Sequence, residues 1–346
     1  MRFKYVGAVV STAVMGSMLL AGCGTTSSAA STTAKTAVKG GDVLFALPPS
    51  SNLDWYLPIT NSSGNTLYND QLINQLYKSL IVIGKNYKID WHSSIASKIT
   101  YNKNGTVYHV YLNPKWHWST GQPVNTSDVM FTWNFIKAAS SSSAPAPWPY
   151  SGAGEGDIPN GVKSVVANSA DEFTITLKKP TNQEWFEYNG ISQLTPLPAF
   201  AWNKYPNNMT QELKYLGKEA TNPSFDKIVD GPFELQSAKP SQSWTLVPNP
   251  HYDGHRSTLS KLIFVYETSG TAEFAALKTG QINVGYLGLS EYDSRKQLTS
   301  MGDKISPQYS MGYFDTELDM NSTAPNHLGP VFDKLYVRQA MQMGIN

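Results

Sequence analysis

The chain has 346 residues, with 27 basic and 26 acidic side chains, 19 tyrosines, nine tryptophans and one cysteine. This near-neutral balance argues against nucleic acid as partner, because phosphate binding needs a clustered basic surface. A lone cysteine excludes a disulfide framework and a thiol metal site. Once its N-terminal segments are set aside, about 300 residues remain. That is more than one simple core holds, so two or more lobes are expected.

In chain order, Arg2 and Lys4 precede an apolar run from Val6 to Leu20, too short for a comfortable membrane span and shaped like an export signal. The run ends in Leu20-Ala21-Gly22-Cys23. Charge, apolar run, small residues and cysteine in that order resemble a bacterial lipobox, in which Cys23 is lipidated and becomes the mature N-terminus. The alternative is a buried structural cysteine or an uncleaved anchor. Residues 1–22 are therefore expected to be a lipoprotein signal peptide. The Ser/Thr/Ala-rich residues 23–41 are expected to be a flexible tether. Removing the signal leaves 25 basic and 26 acidic groups.

Val43 to Leu47 is a short apolar run that predicts a buried strand. A polar loop, Thr60 to Asn65, leads to a helix predicted from Leu67 to Leu80, with Leu72, Leu76 and Leu80 on one face. Asn104-Gly105 predicts a hairpin between strands Lys98–Asn102 and Thr106–Leu112. The stretch Thr106–Ile136 reads as strand, aromatic turn and helix. Thr126-Ser127-Asp128 supplies the cap, and Val129, Trp133 and Ile136 fall on one face. The glycines up to Gly156 do not suggest a phosphate cradle, because no strand precedes them and Pro159 and Gly161 follow closely. Within that loop, Trp148 and Tyr150 are expected as exposed rings beside a cleft, with simple packing as the alternative.

Farther on, Val162–Val166 and Glu172–Lys179 alternate as strands, Leu262–Tyr266 is a strand, and a helix over Ala272–Leu277 stops at Gly280. Ser310–Asn321 predicts an aromatic-bearing strand. The last residues form a helix whose Val337, Ala340, Met341 and Gly344 face has nothing after it to pack on. His251 and His255 flank Gly254 and read as a solvated turn rather than metal ligands. No G-x-S-x-G elbow, H-E-x-x-H helix or Walker loop occurs, so no enzyme is expected. No cofactor and no metal are expected either.

Trp118-Ser119-Thr120-Gly121-Gln122-Pro123-Val124-Asn125-Thr126-Ser127-Asp128-Val129 closely resembles the signature of oligopeptide-type solute-binding proteins, F/W-S-x-G-x-P-V-T-A-x-D-V. Tyr77-Lys78-Ser79-Leu80 is similar to their Y-E-x-L. Asp230-Gly231-Pro232-Phe233-Glu234-Leu235 is similar to G-x-G-P-Y-x-L, with Asp where the first Gly often stands. Trp244 to Tyr252 resembles L-x-x-N-P-x-Y, and Ala275 to Val284 resembles A-L-x-x-G-x-I-D-x with Asn283 in place of Asp.

The resemblance implies an α/β, periplasmic-binding-protein-like fold (type II, oligopeptide-binding cluster) with two lobes, an extra domain and an incomplete second lobe. It places the first lobe at 42–68 and 162–265, the extra α+β domain at 69–161 and the start of the second lobe at 266–346. The chain would then be a truncated or frameshifted member or a fragment, with a naturally short form as the alternative, and would have weak or no high-affinity binding of its own. By the same resemblance, ligand contacts are expected at Ile59, Asn61, Asn189, Gln193 and Tyr313, beside Trp148 and Tyr150. Trp116, Trp118 and Asp128 are expected to pack and cap.

The implied function is capture of oligopeptides or similar solutes by cleft closure, for delivery to an ABC permease. The protein would be a monomer, extracytoplasmic and lipid-anchored at the cell membrane. Nickel through protein ligands is disfavoured by the lack of clustered His and Cys, although a chelated metal would escape that argument. The alternatives are a surface receptor or adhesin not coupled to transport and, behind it, a cell-wall hydrolase.

Overall fold

The computed structural model describes residues 40–225, 228–306, 320, 323 and 327–344. The signal segment, Cys23, nearly all of the tether, Tyr313 and nearly all of its expected strand lie outside the described residues. The strands are β1 (Asp42–Ala46), β2 (Ala96–Tyr101), β3 (Val107–Leu112), β4 (Val162–Ala167), β5 (Glu172–Leu177), β6 (Phe233–Lys239), β7 (Ser243–Pro248) and β8 (Lys261–Val265). The helices are α1 (Leu67–Leu76), α2 (Thr126–Ala139), α3 (Gln183–Asn189), α4 (Ala199–Trp202), α5 (Met209–Glu219), α6 (Gly270–Thr279), α7 (Arg295–Ser300), α8 (Gly329–Phe332) and α9 (Leu335–Met343). None of the described helices is long and apolar enough to cross a membrane.

The strands form two four-stranded sheets, ordered β1-β8-β7-β6 and β2-β3-β5-β4. In the first, β1 runs parallel to β8 with Asp42 opposite Lys261, and the other pairs are antiparallel. Beyond β1 the sheet gains one parallel bridge, Phe45 to Val284. The Asn283 carboxamide holds that edge by accepting from the Leu44 N–H at 2.9 Å.

The second sheet corrects one expectation. β4 and β5, assigned above with the first lobe, pair instead with the β2–β3 hairpin, so the division expected before residue 162 does not divide the sheets. Side-chain phase accounts for this. Tyr108 and Val110 of β3 stand opposite Ile175 and Phe173 of β5, and all four are buried on the same face. Slipping the register by one residue would turn each of them to solvent.

Two helix boundaries also move. α1 ends at Leu76 rather than Leu80, because the chain turns extended at Tyr77 and the Leu76 carbonyl accepts from the Gly231 N–H at 2.8 Å. α2 is capped by Asn125, one residue before the expected cap. The Asn125 side chain accepts from the Ser127 N–H, and Asp128 reaches back to the Asn125 N–H, a reciprocal capping box. Val129, Trp133 and Ile136 are buried as the periodicity predicts. α6 stops at Gly280, whose φ of +70° suits glycine and whose N–H returns to the last turn.

Trp116, Trp118, Trp202 and Trp244 are the largest fully buried side chains of a core that runs through both sheets. By contrast, α9 buries none of its residues among those described.

Candidate functional site

Three loops distant in sequence meet around Asn61, Tyr150 and Gln193. The first follows Trp55, whose indole N–H donates to the Ile59 carbonyl at 3.1 Å and fixes the turn. Asn61 then caps its own loop, accepting from the Gly64 N–H at 2.7 Å while its amide donates to the Pro147 carbonyl at 2.9 Å. Alongside, the Ser151 N–H donates to the Thr60 carbonyl at 2.8 Å, the Thr60 and Ser151 hydroxyls lie 2.8 Å apart, and Asn61 bridges to Tyr150.

Tyr150 passes the network on. Its hydroxyl donates to Gln193 Oε1 at 2.9 Å, and the Gln193 amide donates to the carbonyls of Glu155 and Asn189 at 2.7 and 2.6 Å. Burial, then the nearby Glu155 carboxylate, pushes the Tyr150 phenol well above its ordinary value, so the proton stays on the donor. The loops can approach this closely because residue 156 is glycine. Its φ is +57°, and a Cβ there would stand 2.3 Å from the Asn189 carbonyl.

The structure thus brings Ile59, Asn61, Tyr150, Asn189 and Gln193 into one junction, but not as open contacts. Ile59 and Asn61 are buried, Gln193 is half-buried, and Asn189 is exposed. The expectation of exposed rings at 148 and 150 is overturned: Trp148 is 6% and Tyr150 8% exposed. Trp148 stands edge-on to Phe135 at 5.0 Å and Trp55 at 5.9 Å, and its N–H donates to the Leu213 carbonyl at 3.0 Å. It wedges α2 against α5. Flanking prolines and glycines gave no periodicity from which that burial could be read. Thr60 and Ser151 were missed, although the polar Thr60–Asn65 loop was a signal for the first of them. The groups gathered here are amide, hydroxyl and carbonyl hydrogen-bonding partners, suited to orienting a polar solute.

The chain after β8 is tied back to the first sheet. Gln71 of α1 donates to the Tyr286 hydroxyl at 2.7 Å, and the Tyr286 ring stands edge-on to Phe45. The buried Glu273 carboxylate of α6 accepts from the Tyr286 N–H, and burial pushes its carboxyl up to about 7.

A family model described as bacterial extracellular solute-binding proteins, family 5, middle region, matches residues 90–346. The chain belongs to this family. Among its relatives, a dipeptide-binding protein of Lactococcus lactis is 25% identical over 263 residues, covering 73% of this chain and 45% of that protein. The fold is similar to that of the Bacillus subtilis oligopeptide-binding protein AppA, solved with a nonapeptide (TM-score 0.59, 19% identity, 75% of this chain and 46% of that one). It is also similar to a periplasmic EDTA-binding protein, EppA (TM-score 0.62, 17% identity, 76% of this chain and 47% of that one). The chain therefore spans less than half the length of these proteins. Over that part, the family's type II binding-protein fold of the oligopeptide-binding cluster is present.

Proposed function

We propose that this chain captures oligopeptides or similar solutes for an ABC importer, outside the cytoplasm and held to the membrane by a lipid on Cys23. The observation that carries the reading is the junction of the 59–61, 147–156 and 189–193 loops, built on a solute-binding family fold. In this reading the exposed Asn189 amide and the half-buried Gln193 meet the ligand backbone, and Asn61 and Tyr150 hold them in position. Ile59 and Trp148 support the junction from beneath. Tyr313, outside the described residues, would be a further ligand contact by the family resemblance. Peptides would be held mainly through main-chain hydrogen bonds and roomy side-chain pockets, giving breadth rather than narrow sequence preference. The β1-β8-β7-β6 sheet belongs to the first lobe and the β2-β3-β5-β4 sheet to the extra domain. Closure of the lobes about the segment after β8 would trap the solute and present a monomer to the permease.

Thermal denaturation of the mature chain in the presence of short peptides tests this. A ligand that binds only the native state raises the melting temperature by mass action. The expected result is a rise that saturates only at high peptide concentration, as weak binding by this part of the fold requires, with every peptide recovered intact by mass spectrometry. Cleaved product would indicate a hydrolase, and no rise with any peptide would leave a receptor or adhesin unconnected to transport.

A further inference from the structure

A groove of about 690 Å³ opens between α2 and β4, lined by residues none of which belongs to the Asn61–Tyr150–Gln193 junction. Its lining is mixed, with Trp133 and Val162 the buried apolar residues among polar Asn and Ser side chains. Its rim carries Lys137 at the end of α2, Lys163 on β4 and Lys178 just after β5, and no Asp or Glu lines it. The Lys178 ammonium donates to the Asn160 carbonyl at 2.7 Å, and the Lys137 ammonium lies 5.9 Å from the Trp133 ring centre. No described ion pair includes any of the three.

On a chain whose charges otherwise nearly cancel, three cations around one concavity focus a positive potential into it. The carbonyls of the α2 C-terminus would oppose an anion, but Ser140 covers the Ile136 carbonyl with both its N–H and its hydroxyl. We infer that this groove binds a small organic anion bearing two or more carboxylate or phosphate groups. The ammonium groups hold the charges, and the Trp133 ring takes the carbon skeleton. The inference does not depend on the peptide-binding reading.

Calorimetric titration of the full chain at low ionic strength, where such contacts are least screened, tests it with citrate as the carboxylate probe and fructose 1,6-bisphosphate as the phosphate probe. One saturable site is expected for at least one probe, and the stronger probe identifies the preferred anionic group. The triple variant Lys137→Gln/Lys163→Gln/Lys178→Gln should weaken it tenfold or more, and Lys163→Gln alone about threefold. Removing the same charge elsewhere, in Lys88→Gln/Lys214→Gln/Lys218→Gln, should change it less than twofold. The Trp133 indole N–H resonance should shift on titration. Equal losses in the two triple variants would reduce the effect to diffuse charge and overturn the site, as would the absence of saturation with both probes. Tyr150→Phe should leave citrate binding unchanged, so the groove and the peptide site fail independently.

Discussion

The backbone N–H of Lys78 donates to the Asp230 carboxylate at 2.9 Å, joining the end of the α1 segment to the turn before β6. Asp230 is 1% exposed, and its second oxygen has no hydrogen-bond partner among the described residues. The Lys78 ammonium lies over the rings of Trp116 and Tyr252, at 4.6 and 5.7 Å from their centres. Burial dominates both groups. It pushes the Asp230 carboxyl up to about 7 and the Lys78 ammonium down, each only partly offset by the other.

That pair sets a pH dependence of stability. A carboxyl with a raised folded value holds its proton longer folded than unfolded. Its contribution is therefore complete below the unfolded value near 4, is lost as pH rises to about 7, and is flat above. Glu273, also near 7, acts in the same direction. The melting temperature is expected to fall between pH 5 and pH 7, with each group contributing a slope of at most about 1.4 kcal/mol per pH unit. Asp230→Asn should flatten the profile, and Asp230→Asn/Glu273→Gln should flatten it further. An unchanged slope in calorimetric scans of the double variant would rule this out.

Asp128 is expected to matter more to stability than its cap position suggests. One oxygen accepts from the Trp118 indole and the Asn125 N–H, both at 3.1 Å, and the other accepts from the Ala199 N–H at 2.9 Å. Asp128→Ala leaves these donors without their acceptor, one in buried and two in part-buried surroundings, and should cost about 3 kcal/mol or more. Asn125→Ala, which removes only the outer half of the capping box, should cost about 1 kcal/mol. Urea midpoints at constant slope give both values.

The loop junction can be opened from one position. Gly156→Ala must strain a left-handed backbone or push the Asn189 carbonyl away, at a cost of roughly 1–3 kcal/mol. The Tyr150–Gln193 bond should break with it, visible as a shift of the Tyr150 ring resonances and a weaker peptide response. Tyr150→Phe, which removes that bond alone, should cost about 1 kcal/mol.

Trp148 separates core from cleft directly. As a wedge between α2 and α5, its replacement by Ala should destabilise the chain by about 3–5 kcal/mol. If the ring instead served the ligand, Trp148→Ala would alter peptide binding with a melting temperature close to that of the parent chain.

Local structure was legible where a residue choice has one physical meaning. Gly280 ends α6, Asn104-Gly105 turns the β2–β3 hairpin, and the spacing of Val129, Trp133 and Ile136 gives the buried face of α2. What was not legible depended on partners remote in sequence. Alternation placed β5 as a strand but could not choose β3 over the first sheet. Lys78 stands at the family pattern's Glu, and only the fold shows that its backbone meets Asp230. At the candidate site, Asn61, Tyr150 and Gln193 were expected as ligand contacts, but their bonding to one another arises from loops whose course no periodicity records.

The parallel pairing of β1 with β8 has a bearing on biogenesis. Among the described residues, β1 has no neighbour in its sheet until Lys261–Val265 has been made, and the bridge at Val284 comes later still. Closing so long a loop is slow and cannot begin early. The first sheet therefore stays open until residue 265 has been made, and nothing before that point can lock β1 into it.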